Sequence, residues 1–232
     1  MPERNPYLLP VVIVLAGMLI GGALYAVRIT RIAPLMEGDI ALLRPVSTSD
    51  HLVGNPTASV TIVTYSDIDC AYCKSFQESM EQIITDYGPS GDVAWVYRHF
   101  PLIELHPSAA THAKAAECVA SLGNAQAFFR FIDALHQAAP GVNQFDTKKY
   151  SPIVTGLGIA PADFQACMES TKFEKRVADD FDNALAIGAN GAPYSVLLIK
   201  GHDPVPVSGS LPYTSLKKVI EAALQKAATP KQ

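Results

Sequence analysis

Val60-Thr-Ile-Val-Thr-Tyr65, the link Ser66-Asp67-Ile68-Asp69, and then Cys70-Ala71-Tyr72-Cys73-Lys74-Ser75-Phe76 form the stretch on which the fold turns. The apolar, β-branched run reads as a strand. From Cys70 to Tyr87 the chain reads as a helix that ends at Gly88-Pro89. A Cys-x-x-Cys at a strand-to-helix junction puts its first cysteine beside unpaired N–H groups and the positive end of the helix dipole. Both favour thiolate, the nucleophile of disulfide exchange. Cys73 lies one turn on and can close on Cys70, so the pair can exist as dithiol or disulfide. A structural disulfide and a metal site compete with this redox reading. A zinc ribbon needs a second such pair or two histidines at ligand spacing. Cys118 and Cys167 stand alone, and of His51, His99, His106, His112, His136 and His202 only His106 and His112 fall at such a spacing, with no second cysteine pair beside them. No metal is expected, and no cofactor beyond the two thiols.

Outward toward the C-terminus, Val93–Tyr97 reads as a second strand, parallel to the first because a helix joins them. Helical patterns follow over Ser108–Leu122, Ala125–Ala138, Lys148–Leu157, Pro161–Ser170 and Phe173–Ile187. Ser195–Ile199 returns to strand character, Gly201-His-Asp is a turn, Pro204–Ser208 pairs back antiparallel, and Leu216–Ala228 is a final helix. The order is β-α-β, a helical block, then β-β-α. The block, roughly 80 residues, is too helical to be a loop.

Toward the N-terminus, Tyr7 to Val27 is a run of 21 residues without a charge. That length crosses a bilayer as a helix. A cleaved signal peptide is the alternative, with Gly21-Gly22-Ala23 as its cleavage site; its apolar core normally spans about 7–15 residues. Between this run and the first strand, Pro34, Pro45, Pro56 and Ser47-Thr-Ser-Asp50 read as a connector. The segments are thus 1–28 anchor or signal, 29–58 connector, 59–105 first half with the cysteine pair, 106–188 helical insertion and 189–232 second half. With 49% hydrophobic and 17% charged residues, the 232-residue chain can build a sizeable core. Its net charge of −4 offers no basic footprint for nucleic acid.

In order along the chain stand Gly54-Asn55-Pro56-x-Ala58, Ser66-Asp67-x-x-Cys70-x-Tyr72-Cys73, Tyr97-Arg98-His99-Phe100-Pro101-Leu102, His106-Pro107 with Ala115-Ala116-Glu117-Cys118, and Gly191-Ala192-Pro193. With these motifs the chain, from about Asp50 to Ala228, resembles the DsbA-like branch of the thioredoxin superfamily. The resemblance implies an α/β thioredoxin fold with an inserted helical domain, here preceded by one transmembrane helix. It also implies that Cys70 exchanges with the substrate sulfur, that Cys73 resolves the mixed disulfide, and that Pro193 is cis and lies against the pair. Ala71, Tyr72 and Ala192 would contact substrate, Ala192 through its backbone as in strand pairing. Some relatives bridge comparable helices, which implies a disulfide between Cys118 and Cys167; two buried free thiols are the alternative.

Three positions depart from the family pattern. Tyr72 stands where the strong oxidants carry histidine and offers no imidazolium charge to Cys70. Thr64 stands where many relatives carry a buried acid, the candidate proton acceptor for the resolving thiol. Asp67 and Asp69 either substitute for it or serve as turn and cap residues. Ala192 replaces the usual threonine or valine. His99 and His106 read as structural histidines that flank the exit of the second strand, and Phe128, Phe129 and Phe131 as core rather than substrate groove.

The resemblance implies an extracytoplasmic thiol:disulfide oxidoreductase, in the periplasm or at the cell exterior. It would form disulfides in exported cysteine-containing proteins and be reoxidised by a DsbB-like membrane partner. The same pair run in reverse would be a reductase or isomerase fed by a membrane reductant. A tethered binding or chaperone module is the non-catalytic alternative. The bilayer is contacted through residues 7–27, and a monomer is expected because no dimerisation domain is legible.

Overall fold

A computed structural model describes residues 15–23, 38–138 and 147–229. The chain divides into two units, Met1–Glu37 and Gly38–Gln232. In the first, residues 15–23 are helical and exposed. The anchor expected over residues 7–27 otherwise lies outside the described residues. Among those described, no helix is long and apolar enough to cross a membrane.

The second unit is built on a five-stranded sheet of order β1-β3-β2-β4-β5, with β1 His51–Gly54, β2 Val60–Ser66, β3 Val93–His99, β4 Tyr194–Ile199 and β5 Val205–Ser208. β2 and β3 are parallel, joined by helix α1 (Ala71–Tyr87), while β1 on β3, β4 on β2 and β5 on β4 are antiparallel. Every residue of β2 and β3 is buried. Successive side chains point to opposite faces, and both faces are covered, so residues of either parity are buried. Val60 and Ile62 face a core with Phe76, Met80 and Ile83 of α1 and with Leu216 and Ile220 of α7 (Tyr213–Ala227, after the helices named next). Val63 and Tyr65 face a second core with Val96, Phe100, Ala184 and Ile187.

Between β3 and β4 lie α2 (Ala109–Leu122), α3 (Ala125–Ala138), α4 (Tyr150–Gly156), α5 (Pro161–Glu169) and α6 (Glu174–Ala186). Residues of α2 to α5, among them Ala115, Phe128, Val154 and Phe164, join the first core, so the insertion is continuous with the face that carries α1. α6 instead packs on the opposite face through Phe181 and Ala184. Cys118 of α2 and Cys167 of α5 are bonded, with an S–S distance of 2.02 Å across 49 residues. In the chain-entropy account a loop of that size contributes about 4 kcal/mol.

The connector expected over 29–58 needs correction. His51–Gly54 is edge strand β1, and Ile40, Leu43 and Val46 pack onto the second core. The anchor point is Arg98 on β3, whose side chain is fully buried. Its guanidinium donates to both Asp50 carboxylate oxygens (2.9 and 3.1 Å), to the carbonyls of Arg44 (2.9 Å) and Pro45 (3.1 Å), and to the Tyr65 hydroxyl (2.8 Å). Prolines and a polar run gave this segment the composition of a linker, but one buried guanidinium needs several acceptors, and the segment supplies them.

Candidate functional site

Cys70 is the N-cap of α1, with extended backbone (φ −85°, ψ 122°), and its carbonyl accepts the first helical bond from Lys74 N–H at 3.1 Å. Its thiol faces the Ala192 carbonyl at 3.6 Å, and the Ala192–Pro193 peptide is cis. Pro193 is buried, while Ala71 and Tyr72 are exposed on the first turn of the helix, Tyr72 to 72%. The structure thus gathers Cys70, Ala71, Tyr72, Cys73, Ala192 and Pro193 at one end of the central strands, where β2 finishes and β4 begins. Cys118 and Cys167 belong to the helical block instead.

The two thiols are unlike. Both are free; Cys70 is 8% exposed and Cys73 1%. A hydrogen bond from Cys73 pulls the Cys70 thiol down to about 6, helped by the amides of Cys73 and Tyr72 at the helix terminus and opposed by burial and the Asp67 carboxylate. Burial, and then the Cys70 charge, push Cys73 well above the usual thiol range; the Ser66 hydroxyl and the Asp67 amide work against that rise. One sulfur is therefore a thiolate near neutral pH and the other a thiol held behind it. Dithiol–disulfide exchange needs that division between an attacking and a resolving sulfur.

Thr64, at the position of the family acid, spends its hydroxyl on neutral partners. It accepts from Trp95 Nε1 at 3.2 Å and shares a hydrogen bond with Ser195 at 3.1 Å. Asp67, 1% exposed, is both a turn residue and a neighbour of the pair. Its Oδ1 accepts from Asp69 N–H at 2.8 Å, and its Oδ2 from Leu102 N–H at 2.8 Å and from His106 Nδ1 at 2.8 Å. Asp69 pairs with His112 Nδ1 at 2.7 Å. His106 thus reaches the site through Asp67. The 101–107 loop that it anchors carries the exposed Ile103 and Leu105.

His99 does not reach the site. Its Nε2 lies 3.1 Å from Glu117 Oε1, which also takes His51 Nε2 at 2.8 Å and Arg176 Nε at 2.6 Å. Burial raises the Glu117 carboxyl, but the hydrogen bonds from His51 and His99 outweigh it and hold it far below the usual range. His51, His99 and Glu117 are the group among the described residues whose ligand atoms converge, within 4.8 Å. The Arg176 guanidinium already neutralises Glu117, which disfavours a metal cation there. Phe128, Phe129 and Phe131 are core residues. Ser66 is the site residue with no signal of its own in the sequence; its role depends on the sheet placing its hydroxyl beside Cys73.

A family model described as thioredoxin matches residues 47–222. Among solved structures, alpha-DsbA1 of Wolbachia pipientis aligns at 20% identity with a TM-score of 0.68, covering 82% of this chain and 97% of that one. DsbA2 of Pseudomonas aeruginosa aligns at 23% identity with a TM-score of 0.66, covering 80% and 100%. At these identities the likeness is one of fold. A protein named Na(+)/H(+) antiporter NhaA 1 from Mycolicibacterium gilvum is 31% identical over 155 residues, 66% of this chain and 24% of its own length. The chain spans about a quarter of the length of the curated relatives it matches.

Proposed function

This chain belongs to the thioredoxin family, and on that premise we propose that it is an extracytoplasmic thiol:disulfide oxidoreductase that forms disulfides in exported proteins. The carrying observation is the inequality of the two sulfurs, with Cys70 at the helix terminus drawn down to about 6 and Cys73 buried behind it. In the disulfide form, a substrate thiolate attacks Cys70 Sγ. The Cys70–Cys73 bond breaks, its electron pair stays on Cys73, and Cys73 takes up a proton. A second substrate thiolate then attacks the substrate sulfur of the mixed disulfide and Cys70 leaves as a thiolate. Two electrons pass from substrate to enzyme, and a membrane partner of the DsbB type removes them to restore the disulfide. Substrate backbone pairs with Ala192, and Tyr72, Ile103 and Leu105 offer apolar contact.

A stabilised Cys70 thiolate favours the reduced form and makes the disulfide a donor. The Cys118–Cys167 bridge suits an oxidising compartment. Membrane attachment is supported by the uncharged run at residues 7–27 and by relatives named as antiporters. The reverse direction is the second reading, favoured by Tyr72 in place of histidine and by the Asp67 carboxylate that opposes the Cys70 charge.

The deciding measurement is the reduction potential of the pair in glutathione buffers. A value between about −120 and −180 mV supports donation to substrates, and one between about −230 and −270 mV supports the reductase. A pair that does not exchange would remove both readings and leave a binding module.

A further inference from the structure

Asp67 touches both halves of the dithiol. Its peptide N–H donates to Cys73 Sγ at 3.4 Å, and its carbonyl accepts from Cys70 N–H at 3.2 Å. Its carboxylate, buried from water, is fixed by three N–H donors. Two of them are backbone amides that every sequence would supply. The third is the ring of His106, a residue 39 positions away whose side chain is 10% exposed. A buried carboxylate is costly unless its acceptors are filled, so His106 decides how much of that negative charge is left uncompensated next to the sulfurs.

We propose that Asp67 and His106 act as a positioning pair for Cys70 and Cys73, in which the buried carboxylate, moderated by His106, restrains the oxidising strength of the disulfide. The inference rests on the redox reading above and adds the residues that tune it. The charge of Asp67 opposes the Cys70 thiolate. The reduced form is therefore less favoured than the helix terminus alone would make it. The other groups around the pair do not substitute. The Asp69 carboxylate is engaged by His112, Lys74 donates to the His136 carbonyl at 3.0 Å, and the Ser66 and Tyr97 hydroxyls bear on Cys73 rather than on Cys70.

Two kinds of variant should move the pair in opposite directions, which a merely structural role would not do. Asp67→Asn removes the charge. The Cys70 titration, followed by thiolate absorbance in the full-length protein, should move to lower pH, and the glutathione equilibrium constant should shift about tenfold toward the more oxidising side, about 30 mV. His106→Leu leaves the carboxylate with one donor fewer. The Cys70 titration should then move to higher pH and the constant the other way. His106→Asn, whose amide nitrogen stands where Nδ1 does, should restore most of the difference. Should Asp67→Asn not fold, the two histidine variants carry the test, since they alter only the donor. Shifts of one sign in both, or titrations within twofold of the parent, overturn the proposal. The Cys70 titration needs no exchange partner. A parent protein that fails to exchange with glutathione therefore refutes the redox function, while the titration still decides the role of the pair.

Discussion

At the scale of the residue, the site depends on two cysteines of the same element in different surroundings. Cys70 takes the N-cap position, where a side-chain oxygen usually serves, and its sulfur receives the local amides and a hydrogen bond from Cys73. Cys73, one turn inside, receives none of the helix-terminal amides and is the more deeply buried of the two. Alkylation of the reduced protein should therefore label Cys70 alone, with a rate that rises through about pH 6. Cys73→Ser should leave that labelling intact and, offered disulfide-containing substrates, should accumulate mixed disulfides, because Cys70 attacks the substrate disulfide, a substrate thiolate leaves, and the resolving sulfur is gone. Equal labelling of both thiols in the parent protein would contradict the assignment. The motif was legible from spacing alone. The difference between the sulfurs follows in part from helix position, which spacing gives, and in part from Ser66, Asp67 and Ala192, which only the folded sheet brings near.

At the scale of the element, α3 is docked onto the loop that precedes α1. His136 Nε2 donates to the Ile68 carbonyl at 3.0 Å, and the His136 carbonyl accepts from Lys74 Nζ at 3.0 Å. Burial lowers the His136 imidazole to about 4, so it is neutral in the folded protein. The unfolded chain binds a proton at this histidine below about pH 6.5, and the folded chain does so only near 4. Stability from this group is therefore complete above about pH 6.5 and is lost as the pH falls toward 4, by at most about 1.4 kcal/mol per unit. Urea midpoints between about pH 7 and pH 4.5 should fall, and His136→Gln, which keeps a donor for Ile68 but does not titrate, should flatten the fall. An unchanged slope would show that His136 is charged in the fold. The helical periodicity around Phe128, Phe131, Ile132 and Leu135 announced α3 as an amphipathic helix, but no periodicity says which loop its last turn covers.

At the scale of the whole molecule, the sheet is closed by a segment that its composition disguised. Residues 40–50 bring Ile40, Leu43 and Val46 to the second core and supply acceptors for the buried Arg98. A chain shortened to begin at Gly38 should keep the stability of the second unit. One that begins at Ser47 should lose at least about 3 kcal/mol in urea unfolding, since Arg98 is left with unfilled N–H groups in an apolar surrounding. Equal midpoints for the two would mean that the segment contributes nothing. What depends on neighbours along the chain is readable before folding: the buried strands, the cysteine pair at a helix start, the helical block, and the order β-α-β then β-β-α. These are local because periodicity, turn residues and N-terminal position act over a few residues. Packing alone sets what depends on residues far apart in number: β1 as an edge strand, Arg98 gathering Arg44, Pro45 and Asp50, α6 on the opposite face from the rest of the insertion, and His106 meeting Asp67 near the cysteines. A buried charge does not choose its partner by spacing; it is satisfied by whichever group the packing delivers.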